Sequence, residues 1–373
     1  MFICEFTVRD RSKSGREGLR MPTYSRRTVL LALAAAGLPG CDSRTTKSGP
    51  SEPALDDYRT PYKHPELILA GTGEAGTFDE LAVDIPYVFK HDGAFYMTYV
   101  GYDGKGYQTG LATSDDLVNW RRVGLIGKRD PADPYTRYNI AITSILRDTG
   151  LRDPGHLKQV DGRYLGVWNA YPLPGYEEGP AVIGMAWSDD LINWERTAPI
   201  LFPADGAAWE RGGLYKPYIY QEDGLYYLYY NAKTADVPWH EQIGVATSRD
   251  LLTWTRHAAN PLIRNGPPGS VDDRFAADPV VFRHEDQWVM YYYGFSTDRA
   301  ARDLLALGDD PFHFEKVGEA MIDVGPPGSV DETYAHKPGI IFHDGALYHF
   351  YCAVSGSWPD ETRGIAVARS TPW

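Results

Sequence analysis

The sequence predicts an all-β protein, a five-bladed β-propeller with four antiparallel strands in each blade. Three observations support this. Five units of similar length repeat along the chain, and each unit holds hairpin signals without helical periodicity. Tyrosine, tryptophan and phenylalanine are abundant, at 26, 10 and 13 residues, and aromatic side chains favour strands. A chain of 373 residues can form one such domain.

The first repeated pattern is Gly-x-Ala-Thr-Ser-x-Asp-Leu-x-x-Trp. Close copies of it contain Ser114, Ser188 and Ser248, a decayed copy contains Gly308, and a truncated one ends at Ser370. The spacings between these five positions are 74, 60, 60 and 62 residues. A regular period of this kind predicts a series of similar supersecondary units, which we interpret as blades.

A second pattern precedes each copy. It consists of a proline, an apolar strand, a polar turn that is often Asp-Gly, and an aromatic strand. Asp-Gly between two such runs is a strong hairpin signal. The prolines are Pro86, Pro154, Pro217, Pro279 and Pro338.

The last unit ends at Trp373, before a fourth strand can form. The segment that begins at His64 resembles the segment that follows the third repeat at Asn260. We therefore expect an N-terminal strand to close the last blade, which removes an exposed sheet edge.

The N-terminal residues 1–40 are typical of an export signal. Arg26 and Arg27 form a twin-arginine pattern, and a short apolar run leads to Cys41. This run is too short to span a bilayer as a permanent helix. Met21 is a plausible true start. We predict lipidation of Cys41, a flexible tether over 41–60 and a propeller over 61–373, located in the periplasm or at the cell surface and held to the membrane only by lipid.

Composition excludes several classes of protein. The formal net charge of -13 argues against nucleic acid as a partner, because phosphate binding needs a basic patch. Three cysteines are too few for a disulfide scaffold or a four-cysteine zinc site. We expect a monomer that needs no cofactor.

An acidic residue stands seven positions before the proline in four units. A residue repeated in this way is expected to be structural, capping a turn or pairing with a neighbour. The four acids are Asp79, Glu210, Asp272 and Asp331.

The residues directly before the prolines differ from unit to unit. In a propeller the innermost strands begin near the axis, so these side chains should share one pocket. One position before the proline are Ile85, Asp153, Lys216, Asp278 and Lys337, and two positions before it are Asp84, Arg152, Tyr215, Ala277 and His336. Crowded titrating groups in a concave site favour chemistry. A structural ion-pair network around the channel is the alternative.

These repeats, with Arg152-Asp153-Pro154 and Ala277-Asp278-Pro279, resemble the five-bladed β-propeller glycoside hydrolases. That superfamily includes families 43, 32 and 68, with relatives in families 117 and 130. The resemblance covers residues 64–373. It implies that an Asp before a proline acts as nucleophile or base, or stabilises the transition state, which points to Asp153 and Asp278. It also allows a structural calcium ion in the axial channel.

The family's proton donor is usually a Glu two residues before a proline. Here that place holds Asp84 in the first unit and His336 in the fifth. Since some relatives use histidine, the resemblance makes His336 a candidate donor, with Glu210 and Glu178 in reserve. Glu178-Gly179-Pro180 copies a family tripeptide, but it lies in a loop after the second strand.

The chemistry explains why such groups would cluster. Glycosidic cleavage develops positive charge that carboxylates stabilise, and it needs one group to protonate the leaving oxygen. We predict a glycosidase with Asp84, Asp153, Asp278, His336 and Glu210 as catalytic candidates, acting on plant or algal poly- or oligosaccharides. The predicted substrate-binding residues are Arg152, Lys216, Lys337, Tyr215, His156, Trp239 and His240. A non-catalytic sugar-binding lipoprotein and a family 130-like phosphorylase are the alternatives.

Overall fold

A computed structural model describes residues 55–357 and 360–373. These residues form mainly β-strands, as predicted, with short 3-10 helices at Leu55–Tyr58, Pro203–Asp205 and Ala208–Glu210. The predicted export signal, the lipidation site Cys41 and the tether up to residue 54 lie outside the described residues. They remain predictions.

The strands pair into sheets of 13, five and four strands. Two short strands, β1 (Tyr62–Lys63) and β2 (Leu69–Ala70), come first, and the remaining strands fall into five groups defined by chain order. The first group contains β3 (Ala82–His91), β4 (Ala94–Tyr102), β5 (Tyr107–Ser114) and β6 (Arg121–Gly127). The second contains β7 (Ala141–Ile145), β8 (Gln159–Val160), β9 (Arg163–Ala170), β10 (Val182–Ser188) and β11 (Glu195–Leu201). The third contains β12 (Gly213–Glu222), β13 (Leu225–Lys233), β14 (Glu241–Ser248) and β15 (Thr255–Arg256). The fourth contains β16 (Phe275–His284), β17 (Gln287–Phe295), β18 (Ala301–Asp310) and β19 (His313–Ile322). The fifth contains β20 (Tyr334–His343), β21 (Ala346–Ser355) and β22 (Thr362–Arg369).

The predicted hairpin turns are present. Between β3 and β4, Asp92 and Gly93 have φ values of 46° and 82°, and the flanking residues pair directly. Two consecutive residues with positive φ are typical of a type I′ turn, whose twist matches that of the strands. The same two-residue turn recurs at Asp161-Gly162, Asp223-Gly224 and Asp344-Gly345.

The serine-to-tryptophan pattern forms a rigid turn after the third strand of a group. In the first group the Ser114 hydroxyl accepts a hydrogen bond from the backbone N–H of Leu117 at 3.0 Å. The Trp120 indole N–H donates to the Leu117 carbonyl at 3.1 Å. The hydrogen bond to the serine hydroxyl recurs at Ser188 and Ser248. These residues therefore have a structural role in the turn and are not candidates for catalysis.

The repeated acids are structural, as predicted. The buried Asp79 carboxylate accepts from the Tyr99 hydroxyl at 3.0 Å and pairs with Arg122 at 2.7 Å. Glu210 does the same with the Tyr230 hydroxyl and Arg256, at 2.7 and 2.8 Å. Because the Glu210 carboxylate is already held by Tyr230 and Arg256, a role for it as the catalytic proton donor does not fit the structure.

The N-terminal strands complete the fifth group. Both β1 and β2 pair antiparallel with β22. The Lys63 ammonium lies 2.5 Å from Asp331, which also accepts from the Tyr351 hydroxyl at 3.0 Å. Lys63 thus occupies the place that Arg122 holds in the first group, on the strand that the last unit lacks.

The folded part begins earlier than expected. Tyr58, within the predicted tether, is fully buried, and its carbonyl accepts from the Tyr291 hydroxyl at 2.9 Å. An aromatic side chain with a buried site in the core stabilises an ordered segment. Residues 55–60 therefore belong to the folded domain, and the tether prediction is too long at its C-terminal end.

The innermost strands of the five groups share one apolar core. The largest buried cluster takes side chains from each of these strands, including Phe89, Ile145, Tyr220, Phe282 and Ile340. This packing brings the starts of the inner strands near one another. No helix within residues 55–357 and 360–373 is long and apolar enough to cross a membrane.

Candidate active site

Four inner strands start with the same unusual backbone conformation. Ile85, Lys216, Asp278 and Lys337 each stand directly before a proline and have φ values of 55°, 50°, 55° and 69°. Positive φ is costly for such side chains, and outliers of this kind cluster at functional sites. The strand register shifts at each of these positions.

The kink turns these four side chains into one shared pocket. The cavity that they line measures about 20 Å³, room for a single water molecule. Its wall is formed by Ile85, Tyr107, Ala141, Asn169, Tyr171, Glu177, Tyr215, Lys216, Asn231, Glu241, Asp278, Tyr293 and Lys337. Buried carboxylates, lysines and tyrosines that converge in one hollow make it the candidate active site.

A larger hollow of about 850 Å³ lies between the first two groups of strands. Its charged side chains are partly exposed and already paired, as in Arg163–Asp189 at 3.1 Å and Arg196–Asp130 at 3.5 Å. It holds none of the buried carboxylates described below, so size alone does not make it the site.

Asp84 lies next to the pocket, as predicted, but it forms the centre of a buried network of ion pairs and hydrogen bonds. Its Oδ2 lies 2.7 Å from the Lys337 ammonium and 3.3 Å from the Arg363 guanidinium, and it accepts from the Tyr176 hydroxyl at 2.6 Å. Burial raises its pKa, but Lys337 and Arg363 outweigh burial, and the pKa lies well below the usual range. Asp84 is therefore ionised and neutralised, and it positions its partners.

Asp278 also lies in the pocket, as predicted, beside Lys216. The Lys216 ammonium is 3.6 Å from Asp278 Oδ2. Burial raises the pKa of Asp278, with Lys216 opposing it, and burial lowers the pKa of Lys216. Each charge is thus tolerated mainly because of the other.

Glu177 reaches the pocket from the loop between β9 and β10. The Tyr107 hydroxyl donates to Glu177 Oε1 at 3.1 Å, and the Lys337 ammonium lies 3.8 Å away. Burial raises the pKa of Glu177, but Lys337 and Lys233 are among the positive charges that lower it, and the result is below its usual value. This carboxylate is therefore ionised near neutrality.

Glu241, the first residue of β14, is the counterpart of Glu177. It is 4% exposed. Asn231 donates to its Oε2 and the Trp239 indole donates to its Oε1, each at 3.1 Å. Burial, together with the negative charge of Glu177, raises the pKa of Glu241 to about 8. It therefore keeps its proton at neutral pH.

His336 does not have the properties of a proton donor. It is buried, and burial together with the neighbouring Lys337 holds its pKa well below the usual value. Its Nδ1 lies 3.1 Å from the Cys352 carbonyl. A neutral ring that donates from Nδ1 has no proton on Nε2. His336 also does not line the pocket.

Asp153 is not in the site, which corrects the prediction for the second group. Its carboxylate accepts from the Gly150 backbone N–H at 2.7 Å within a local turn. That turn follows β7 and pairs with Arg283, near the far end of β16. The pocket position in this group belongs to Ala141 at the start of β7. The proline of Asp153-Pro154 therefore does not mark the start of an inner strand.

Arg152 and His156, like Asp153, lie outside the pocket. Both are exposed, and Arg152 pairs with Asp57 at 2.8 Å. Neither lines the pocket, so their predicted substrate contacts do not fit. Of the other predicted binding residues, Tyr215, Lys216 and Lys337 line the pocket, Trp239 holds Glu241, and His240 is half-buried beside it.

Neither glutamate was among the catalytic candidates predicted from the sequence. Glu177 precedes the Glu-Gly-Pro tripeptide that contains the exposed Glu178, and Glu241 occurs at a strand start that carries no repeated motif. The available signal was the aromatic residue close to each of them, Tyr176 and Trp239. Among the described residues, no group of three or more His, Cys, Asp or Glu is placed to hold a metal ion.

Known proteins resemble this chain in sequence and in structure. A solved structure of a complex named for BT0996 and RGII is 29% identical, covers 85% of this chain and 94% of its own, and superposes with a TM-score of 0.73. The 1,2-beta-oligomannan phosphorylase of Thermoanaerobacter sp. is 29% identical over 41% of this chain, and the levanase of Bacillus subtilis is 31% identical over 38%. The matched regions span 43% and 21% of these two relatives.

The model of one protein family matches more than half of the chain. It is described as glycosyl hydrolases family 43, and it matches residues 85–303. The match begins at Ile85 in the pocket and includes Glu177, Lys216, Glu241 and Asp278. With the similar relatives, it confirms the resemblance inferred from the repeats. The chain belongs to family 43 of the glycosyl hydrolases.

Proposed function

We propose that this protein hydrolyses a glycosidic bond in a polysaccharide or an oligosaccharide derived from one. Glu241 is the general acid in this proposal, and Glu177 is the carboxylate that activates water or attacks the sugar. The observation that carries the proposal is the separation of their pKa values within one pocket: about 8 for Glu241 and below the usual value for Glu177. Two carboxyl groups with opposed protonation states are what this chemistry requires.

The surrounding groups have supporting roles in this proposal. Asn231 and Trp239 hold Glu241, and Tyr107 holds Glu177. Asp278 lines the same wall and can stabilise positive charge that develops on the sugar ring. The similar structure whose name includes RGII supports a polysaccharide substrate. The predicted plant or algal origin remains part of the proposal.

The five-bladed arrangement is also part of the proposal. The shared core of five inner strands, and the pairing of β1 and β2 with β22, support a closed ring of five blades. The parallel contacts of β14 with β16 and of β18 with β20 link neighbouring groups at the pocket end. A ring would explain why residues far apart in sequence converge there.

Product release from a panel of furanosides, uronides and neutral glycans tests the function. We expect turnover by the wild-type chain, and a loss of roughly 100- to 10,000-fold in kcat for Glu241→Gln and for Glu177→Gln. Glu178→Gln is the matched control, because Glu178 is adjacent but exposed, and it should retain full activity. Near-full activity in both pocket variants would rule out these roles.

The same panel addresses the alternatives. The similarity to a named phosphorylase favours a second assay in which inorganic phosphate is added. Hydrolysis predicts an unchanged rate and no sugar phosphate, whereas a phosphorylase requires phosphate. Sugar binding without turnover on any glycan would favour the non-catalytic binding protein.

A further inference from the structure

Lys233, the last residue of β13, lies at the edge of the pocket inside a cage of aromatic rings. Its ammonium is 5.5 Å from the ring centroid of Trp239, 5.6 Å from that of Tyr215 and 5.9 Å from that of Tyr171. Such contacts hold a cation in place. The lysine is therefore fixed beside the site.

The cage is itself rigid. Tyr171 and Tyr215 stack with their centroids 5.5 Å apart. Trp239 stacks on Phe275, and its indole N–H donates to Glu241. Tyr171 and Tyr215 line the pocket together with Glu177 and Glu241. The Lys233 ammonium is thus held near the proposed catalytic pair without bonding to it.

Lys233 differs from the other cations around the pocket. Lys337 and Arg363 both form ion pairs with Asp84, and Lys216 lies beside Asp278. For Lys233, by contrast, no carboxylate oxygen within the described ranges lies closer than 4.0 Å. Lys233 acts on Glu177 and Glu241 only at longer range, so its ammonium can still pair directly with a ligand.

Two buried polar atoms of the same wall also lack a hydrogen-bond partner in the described part of the chain. They are the Tyr215 hydroxyl and Oδ2 of Asp278. The two residues are 6% and 4% exposed. A buried polar atom without a partner is costly, and a ligand hydroxyl would satisfy it. The wall beside Glu241 thus offers the Lys233 cation, the unpartnered Tyr215 hydroxyl and Asp278 Oδ2, which lies 3.6 Å from the Lys216 ammonium.

We propose that Lys233 and its three aromatic rings form a subsite for the carboxylate of an acidic sugar, a hexuronate, in the substrate of this pocket. The inference rests on the proposed function, because it places the acidic sugar next to the bond to be cleaved. The ammonium pairs with the carboxylate at the edge of the pocket, the half-buried Trp239 packs against the sugar, and the Tyr215 hydroxyl bonds to one of its hydroxyls. Lys216 and Lys337, which were also predicted to bind substrate, have their own carboxylates.

Binding of matched sugars to the full chain tests the subsite directly. D-Galacturonate and D-glucuronate would be compared by calorimetry with D-galactose and D-glucose, which differ only at C6. We expect the uronates to bind about tenfold more tightly or better, as is typical for a hydrogen bond to a charged group. Lys233→Met should abolish this preference, and Lys233→Arg should keep most of it.

Lys90→Met is the matched control. Lys90 also lies over an aromatic ring, that of Phe95 at 5.3 Å, but it is near the far end of β3, outside the pocket. The preference should survive in this variant. Equal binding of uronates and neutral sugars, no saturable uronate binding, or an unchanged preference in Lys233→Met would each overturn the subsite.

The binding assay separates this inference from the function on which it rests. Glu241→Gln should lose turnover and still prefer uronates, because Lys233 remains. If Lys233-dependent uronate binding is found but no glycan is cleaved, hydrolysis fails and the subsite stands. If neutral glycans alone are cleaved and uronates do not bind, the subsite fails and hydrolysis stands.

Discussion

The Tyr176 hydroxyl donates a 2.6 Å hydrogen bond to Asp84 Oδ2, across 92 residues of chain. Asp84 lies at the start of the first inner strand, whereas Tyr176 belongs to the loop that carries Glu177. The same oxygen lies 2.7 Å from Lys337, which in turn is 3.8 Å from Glu177. One ionised aspartate thus fixes both the loop and the lysine that face a proposed catalytic carboxylate.

The first prediction concerns stability. Asp84→Asn should destabilise the fold by about 3–5 kcal/mol, because it removes the carboxylate nearest to the buried Lys337 ammonium and leaves that lysine only Glu177 at 3.8 Å. Chemical denaturation at neutral pH would measure the loss. Tyr176→Phe removes only one hydrogen bond to this aspartate and should cost roughly 1–2 kcal/mol. Equal stability of Asp84→Asn and wild type would contradict the buried network.

The second prediction is a pH profile. Glu241 must be protonated to act as the acid, and its pKa is raised to about 8. The kcat/KM should therefore hold below that pH and fall as pH rises through it. Because Lys233 lowers the pKa of Glu241, Lys233→Met should move this alkaline limb to higher pH. Activity that continues undiminished to about pH 10 would exclude Glu241 as the acid.

The third prediction separates Asp153 from the site. Asp153→Asn should leave kcat within about twofold of wild type, because the carboxylate only holds a local turn through Gly150. Asp278→Asn should lower kcat by an order of magnitude or more, because Asp278 lines the pocket beside Lys216. Kinetics on one confirmed substrate would compare the two. A large loss in Asp153→Asn would restore the role inferred from the Asp-Pro motif.

The repeats predicted the strand groups because each copy contains the residues that form its own turns and local hydrogen bonds. The Asp92-Gly93 turn recurs at three other Asp-Gly pairs, and the indole hydrogen bond of Trp120 recurs at Trp194. In four groups, aligning the repeats at the proline correctly predicted that the residue before it lines the pocket. In the second group this prediction was wrong, because Asp153-Pro154 lies after the inner strand and Ala141 occupies the pocket.

The catalytic roles proposed for the two glutamates were not predicted, for a different reason. Glu177 and Glu241 reach the pocket through a loop and a third strand, so no inner-strand alignment contains them. Their protonation states depend on tertiary neighbours, Lys337 for one and burial for the other. No sequence spacing encodes these neighbours. The sequence also could not show that Asp84 is fully paired, because Arg363 and Tyr176 come from distant segments.

The fourth prediction tests how the N-terminal strand completes the last group. Lys63 on β1 lies 2.5 Å from the buried Asp331, as Lys316 on β19 lies 2.5 Å from the buried Asp272. Each variant, Lys63→Met or Lys316→Met, removes the cation from one buried aspartate and leaves it with one tyrosine and one serine hydroxyl as donors. Both should therefore lose a similar free energy of unfolding, about 1–3 kcal/mol.

Lys63 and Lys316 have nearly the same side-chain exposure, 30% and 27%, so the two variants control for each other in denaturant melts. Deletion of residues 61–70 should go further. It exposes an edge of β22 and removes the buried Leu69, so cooperative unfolding should be lost. If Lys63→Met is neutral while Lys316→Met destabilises, β1 does not act as the missing fourth strand. A deletion variant that melts cooperatively near the wild-type temperature would lead to the same conclusion.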